Sequence, residues 1–168
     1  MPTLTAEAPT AIGRPAAATP TEPIRYQRAK NEGIDVGEVR CDAVISNNAD
    51  VDNAFAGTIG KDEVRAETVD AMVDSGAVRT VIPRSMAARL GLRFLFEQTY
   101  NLSDGSRRKL PVYSAIQIEV LGRTHVELPG VAGDEVLLGQ TVFEQTGILI
   151  DCANQTLVPP PADWAARL

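Results

Sequence analysis

The stretch Val69-Asp70-Ala71-Met72-Val73-Asp74-Ser75-Gly76-Ala77 decides how this chain is read. Its first five residues are mostly apolar and include two β-branched valines, which marks a strand. Val64, Ala66 and Thr68 extend that strand backwards. At its end stands Asp74, a carboxylate that is costly to bury against apolar neighbours unless donors stabilise it. Ser75 supplies a hydroxyl, and Gly76 permits a sharp turn that exposes backbone amides. Such surroundings tune a carboxylate for proton transfer. On its own, Asp-Ser-Gly is also a common turn, so the segments around it carry the reading.

Upstream, Val39, Cys41, Ala43 and Ile45 alternate with polar residues, the period of a half-buried strand. Asn47-Asn48-Ala49-Asp50 ends it with turn chemistry, and residues 50–60 hold a short helix closing at Gly57 or Gly60. Downstream, Thr80-Val81-Ile82 reads as a short strand, and Pro83 opens a helix. Met86 and Leu90 share one face of that helix, and Gly91 stops it. Asp104-Gly105, inside the segment from Leu102 to Ser106, is a hairpin turn between two extended segments.

The alternation resumes from Val112 to Val120, and Gly130 to Gly133 is read as a loop. Glu135 to Gly139 is a buried strand ending in glycine, and Thr141 to Glu144 gives one or two helical turns. Gly147 to Ile150 and Thr156 to Val158 form a last hairpin around Ala153-Asn154. Many short strands with one or two short helices predict a mostly β, small, barrel-like domain. The domain is expected over residues 34–160. A Pro-, Thr- and Ala-rich leader precedes it over 1–33, expected to be disordered, and 161–168 form a C-terminal tail.

In this order and spacing the segments resemble the retropepsin-like aspartic proteases, the retroviral type, in their single-domain bacterial form. The likeness runs over about residues 37–160 and starts at Gly37-Glu38-Val39-Arg40. The stretch ending in Asp74-Ser75-Gly76-Ala77 matches the family's apolar strand followed by Asp-Thr/Ser-Gly-Ala. Thr80-Val81-Ile82-Pro83 and Ala87-Ala88-Arg89-Leu90-Gly91-Leu92 follow it. Ser103-Asp104-Gly105 resembles the turn of the mobile flap, and Leu137-Leu138-Gly139 the apolar-apolar-Gly segment before the last helix.

The resemblance implies a small closed acid-protease barrel and an aspartic endopeptidase, with Asp74 catalytic and Ser75, Gly76 and Ala77 supporting its loop. Ser103, Asp104 and Gly105 would cover the substrate, and Leu138 and Gly139 would form the late glycine segment. Members cleave peptide bonds with two aspartates and a water. This chain has one Asp-[Ser/Thr]-Gly and is too short for two lobes, so a homodimer is implied, with one Asp74 from each subunit. Two positions depart from the family. Gln140-Thr141 follows the late glycine where Arg-Asp or Arg-Asn is frequent, and Val78-Arg79 follows Ala77 where viral members commonly carry Asp. An Arg–Asp brace across the dimer is therefore not carried over. The other class in view is a catalytically silent dimeric module that binds peptide or protein with the same fold.

Composition narrows the partners. The 168 residues suit one domain with tails. A net charge of -6 argues against nucleic acid, which needs a basic face. No run approaches the ~20 apolar residues of a membrane span, and Met1 to Thr21 lacks a secretory pattern. Two cysteines, Cys41 and Cys152, without C-x-x-C spacing give neither a disulfide framework nor a zinc site. The expectation is a cytoplasmic protein without metal or cofactor, whose partners are a second copy and a peptide or protein substrate.

The remaining candidates have simpler readings. His125, the single histidine, lacks the G-x-S-x-G elbow of a serine hydrolase and is read as a strand or loop residue. Asp50-Val51-Asp52-Asn53 fails as a calcium loop because Ala54 and Phe55 stand at ligand and glycine positions. Arg107-Arg108-Lys109 is read as a solvated hairpin edge and Trp164 as a tail residue.

Overall fold

The computed structural model describes residues 38–101, 105–162 and 164. Strand β1 (Val39–Asn47) and strand β2 (Ala66–Asp74) are antiparallel, in register from Val39 opposite Val73 to Ser46 opposite Ala66. The alternation in β1 turns Val39, Ala43 and Ile45 into the core. Between the two strands lies helix α1 (Asn48–Phe55). The Asn47 side chain caps it by accepting from Ala49 N at 2.9 Å, while its Nδ2 donates to Leu90 O at 2.9 Å. Asn47 thus fixes one helix start and ties it to a distant helix end.

Strand β3 (Val81–Ile82) leads through Pro83 into helix α2 (Arg84–Arg89). Met86, Ala87 and Leu90 are buried on its inner face, and Gly91 ends it with φ of 64°. The hairpin of β4 (Phe94–Asn101) and β5 (Arg107–Tyr113) follows, then that of β6 (Ile116–Val120) and β7 (Arg123–Glu127). The alternation from Val112 to Val120 is therefore two strands. It breaks at Ser114-Ala115, whose backbone groups bond instead to Arg93 O (2.8 Å) and Asn48 N (3.2 Å). Then come β8 (Gly130–Val131), β9 (Leu137–Gly139), α3 (Gln140–Thr146), β10 (Leu149–Asp151) and β11 (Thr156–Val158).

Gly130, read as a loop residue, is in fact a sheet residue. It pairs with Val112 of β5 and Val81 of β3, with the Leu110 and Val81 side chains 3.7 Å from where its Cβ would stand. A strand of two residues shows no period, so the sequence pattern could not reveal it.

Nine strands form one curled, half-barrel sheet in the order β4-β5-β8-β3-β9-β2-β1-β6-β7. Strands β10 and β11 make a separate hairpin. The sheet is open at β4 and β7 among the described residues, short of the closed barrel expected. Three α-helices are present among them, at the three places where the sequence reading put helical turns. The core is one cluster in which Ile45, Ile82, Leu90, Ile116, Ile118, Leu138 and Val142 are fully buried. Each such side chain contributes roughly 1.5–3 kcal/mol by leaving water. Of the residues expected to form a tail, Trp164 lies against Gly147, and its ring occupies the space a Cβ there would need. No helix among the described residues is long and apolar enough to cross a membrane.

Candidate active site

Asp74 is the last residue of β2, half-buried, and its parallel neighbour across the ladder is Gly139 of β9. A strand end is where the backbone leaves the ladder and its amides become free for other work. Gly76 N donates to Asp74 Oδ1 at 2.9 Å, and Ala77 N donates to Asp74 O at 3.2 Å. The turn therefore supplies the donor that Asp74 needs from the chain immediately after it. A Cβ on Gly76 would come within 3.2 Å of Asp74 Oδ1, so glycine keeps that approach open. Ser75 and Gly76 are exposed, and Val78 is 63% exposed. The loop thus presents its tip outward.

The base of the loop is fastened to the junction of β9 and α3. Ala77 O accepts from Gln140 N at 2.8 Å, and Val78 O accepts from Thr141 N at 3.3 Å. Thr80, fully buried, accepts from Gly139 N on its hydroxyl at 3.4 Å. Helix α3 starts with amides that have no partner within the helix, and the loop carbonyls satisfy two of them. The approach is close enough to demand glycine. A Cβ on Gly139 would stand 2.4 Å from the carbonyl carbon of Arg79. Leu138, fully buried beneath, anchors the same segment in the core. Asp74, Ser75, Gly76, Ala77, Leu138 and Gly139 are thus brought together.

The expected flap is the β4–β5 hairpin, with Asn101 opposite Arg107 at its far end. Ser103 and Asp104 lie outside the described residues. Gly105 is exposed with φ of 80°, a conformation glycine adopts freely. Arg107, Arg108 and Lys109 are exposed on β5, the solvated face expected of them.

Glu127 was not singled out from the sequence, and Thr80 and Thr141 were noted there only as a strand residue and a departure from the family, yet the three meet behind the loop. Glu127 Oε1 accepts from Thr80 N at 3.2 Å, and Glu127 Oε2 accepts from Thr141 Oγ1 at 3.0 Å. No local signal marks them, because Glu127 is 47 residues from Thr80 and 14 from Thr141. A cavity of about 330 Å³ lies beside them, lined by Arg79, His125, Thr141 and Gln145 among others. His125 sits on β7 opposite Ile118, half-buried.

Two other groups that drew attention in the sequence are occupied or inert. The Asp50 carboxylate that opened the calcium-loop reading accepts a two-pronged ion pair from Arg65, at 2.7 Å from Nε and 2.8 Å from Nη2. The Cys41 thiol is pushed up to about 12, chiefly by burial and further by the nearby Asp42 and Asp70 charges. A thiol so raised is a poor nucleophile at neutral pH. Among the described residues, no three His, Cys, Asp or Glu side chains come together as metal ligands.

Residues 61–145, about half the chain, match the family described as "gag-polyprotein putative aspartyl protease". The crystal structure of the retroviral protease-like domain of Ddi1 from Leishmania major is similar over 74% of this chain and 90% of that one. Their sequence identity is 16% and the TM-score 0.46. No curated protein matches the chain. The matched residues contain β2, the Asp74 turn, the β4–β5 hairpin and the β9–α3 junction, and the chain belongs to this family of retroviral-type aspartyl proteases.

Proposed function

We propose that the protein is an aspartic endopeptidase that works as a homodimer, with Asp74 of each subunit forming the catalytic pair. The observation that carries this reading is the placement of Asp74. It ends a core strand, is held by its own turn through Gly76 N, and sits behind an outward-facing Ser75-Gly76 tip. That tip is available to a second copy related by a two-fold axis. One copy brings one Asp-Ser-Gly, so the pair requires two.

Two carboxylates in contact cannot both ionise and therefore share one proton. The charged one takes a proton from a water molecule, whose oxygen adds to the peptide carbonyl carbon. The protonated one gives its proton to the carbonyl oxygen. Collapse of the resulting gem-diol breaks the C–N bond, and a proton returned from the carboxylates leaves with the amine. The β4–β5 hairpin closes over the substrate and excludes water. The pair titrates as a unit, so its pH profile has two limbs that belong to neither residue alone.

Asp74→Asn tests the reading. It preserves the shape of the side chain and removes its capacity to ionise. Cleavage of a peptide library at mildly acid and neutral pH is expected to fall at least about 10³-fold, with the dimer intact by sedimentation. Pepstatin is expected to block the wild-type activity. Full activity in Asp74→Asn would overturn the proposal, and binding of peptides without cleavage would favour the silent module.

A further inference from the structure

The active-site loop is held at its base by the start of α3 and from behind by the Glu127 carboxylate. Thr80 is fully buried, and its N–H stands one residue before β3, outside the sheet ladder. Glu127, at the end of β7, accepts that N–H on Oε1. Its other oxygen, Oε2, lies 3.0 Å from the Thr141 hydroxyl. That hydroxyl is also 3.0 Å from Val78 O, but it has one proton to give. The carboxylate is the stronger acceptor, and Val78 O already receives the Thr141 N–H. One side chain therefore couples both ends of the Val78 to Thr80 segment, directly at Thr80 and through Thr141 at Val78.

We propose that Glu127 is the positioning residue of the active-site loop, acting with Thr141 to set the height and tilt of Asp74. The inference rests on the reading of Asp74 as catalytic. Glu127 touches no reacting atom. Its effect travels through Thr80 and Val78 to the turn that holds Asp74, and an error of ~1 Å in such a site costs about 10²-fold in rate.

The experiment compares full-length wild type with Glu127→Ala, Glu127→Gln, Thr141→Val and Thr141→Ser, all confirmed folded by circular dichroism. On a cleaved peptide, Glu127→Ala and Thr141→Val are expected to lower kcat about 10- to 100-fold with KM within about twofold. Thr141→Ser keeps the hydroxyl and is expected to retain at least about half of kcat. Glu127→Gln keeps one acceptor and is expected to fall between Ala and wild type. The double variant Glu127→Ala, Thr141→Val is expected to be no worse than the poorer single variant, because both break one bridge. An unchanged kcat per folded dimer in Glu127→Ala overturns the proposal, as does full additivity of the two substitutions. Asp74→Asn in parallel separates the two readings. If it cleaves as well as wild type, or if wild type does not cleave, the catalytic assignment fails. The bridge is then judged by amide hydrogen exchange from Ala77 to Thr80. Exchange about tenfold faster in Glu127→Ala supports it, and unchanged exchange overturns it.

Discussion

At the scale of single residues, charge placement decides more than charge number. Asp50 is buried, and its carboxylate accepts three hydrogen bonds from Arg65, two from the guanidinium and one from the backbone N–H at 3.1 Å. The guanidinium bonds hold the Asp50 carboxyl below its usual range, with burial opposing them and the backbone bond adding to them. A lowered folded-state value means the stabilisation is fully present above the unfolded value of about 3.9 and is lost as pH falls through the folded one. Asp50→Asn is expected to destabilise the protein by about 1 kcal/mol at pH 7, since the Arg65 side chain is about half exposed to solvent. That corresponds to a melting temperature lower by about 4 °C. The gap between variant and wild type is expected to shrink as pH drops below about 4, and thermal melts at pH 7 and pH 3 check it. A gap of equal size at both values would show that shape, not charge, matters there. Asp74 and Asp50 also differ in how they can be read. Asp74 is legible because its donor lies two residues on, whereas the partner of Asp50 is fifteen residues away. Glu127 was invisible for the same reason, with one partner just before β3 and the other on α3.

At the scale of elements, the legible pieces are those whose period or turn residues are local. Strand β2, helix α2 between Pro83 and Gly91, and the β4–β5 hairpin all carry such marks. The β6–β7 hairpin does not. It turns on Leu121-Gly122, both at positive φ, and leucine there gives no turn signal. Gly139 belongs with the legible elements, since a glycine ending a buried strand invites a reason. The reason is packing rather than φ: Arg79 crosses it with backbone atoms 2.4 to 2.7 Å from the absent Cβ. Backbone cannot rotate aside as a flexible side chain can. Gly139→Ala is therefore expected to push the active-site loop off the β9–α3 junction, costing about 1–3 kcal/mol in stability. Peptide cleavage is expected to fall more than about tenfold even in the fraction that remains folded. Activity per folded chain, with folding followed by denaturant titration, measures both effects. Wild-type activity in that variant would mean the loop finds its place without this contact.

At the scale of the whole molecule, the sheet leaves unfinished surface at several places. Val78 beside the Asp74 turn is exposed, as are Leu149 and Val158, which pair across the β10–β11 hairpin. Apolar groups at the tip of the site and on a hairpin of its own suit burial by a second copy. The proposed dimer could be announced in the sequence only by what it holds once, a single Asp-Ser-Gly, because a two-fold axis would leave no mark within one chain. The proposed dimer has a consequence that a self-sufficient monomeric enzyme would not share. If each site takes Asp74 from both subunits, an Asp74→Asn chain spoils the site of any partner it joins. Wild type mixed with a ninefold excess of Asp74→Asn, and given time to exchange subunits, leaves about one wild-type chain in ten with a wild-type partner. Activity per wild-type chain is then expected to fall about tenfold, whereas the same excess of an unrelated protein leaves it unchanged. Cleavage that stays proportional to the wild-type chain at every ratio, with subunit exchange verified by labelled chains, would mean that one copy carries a complete site.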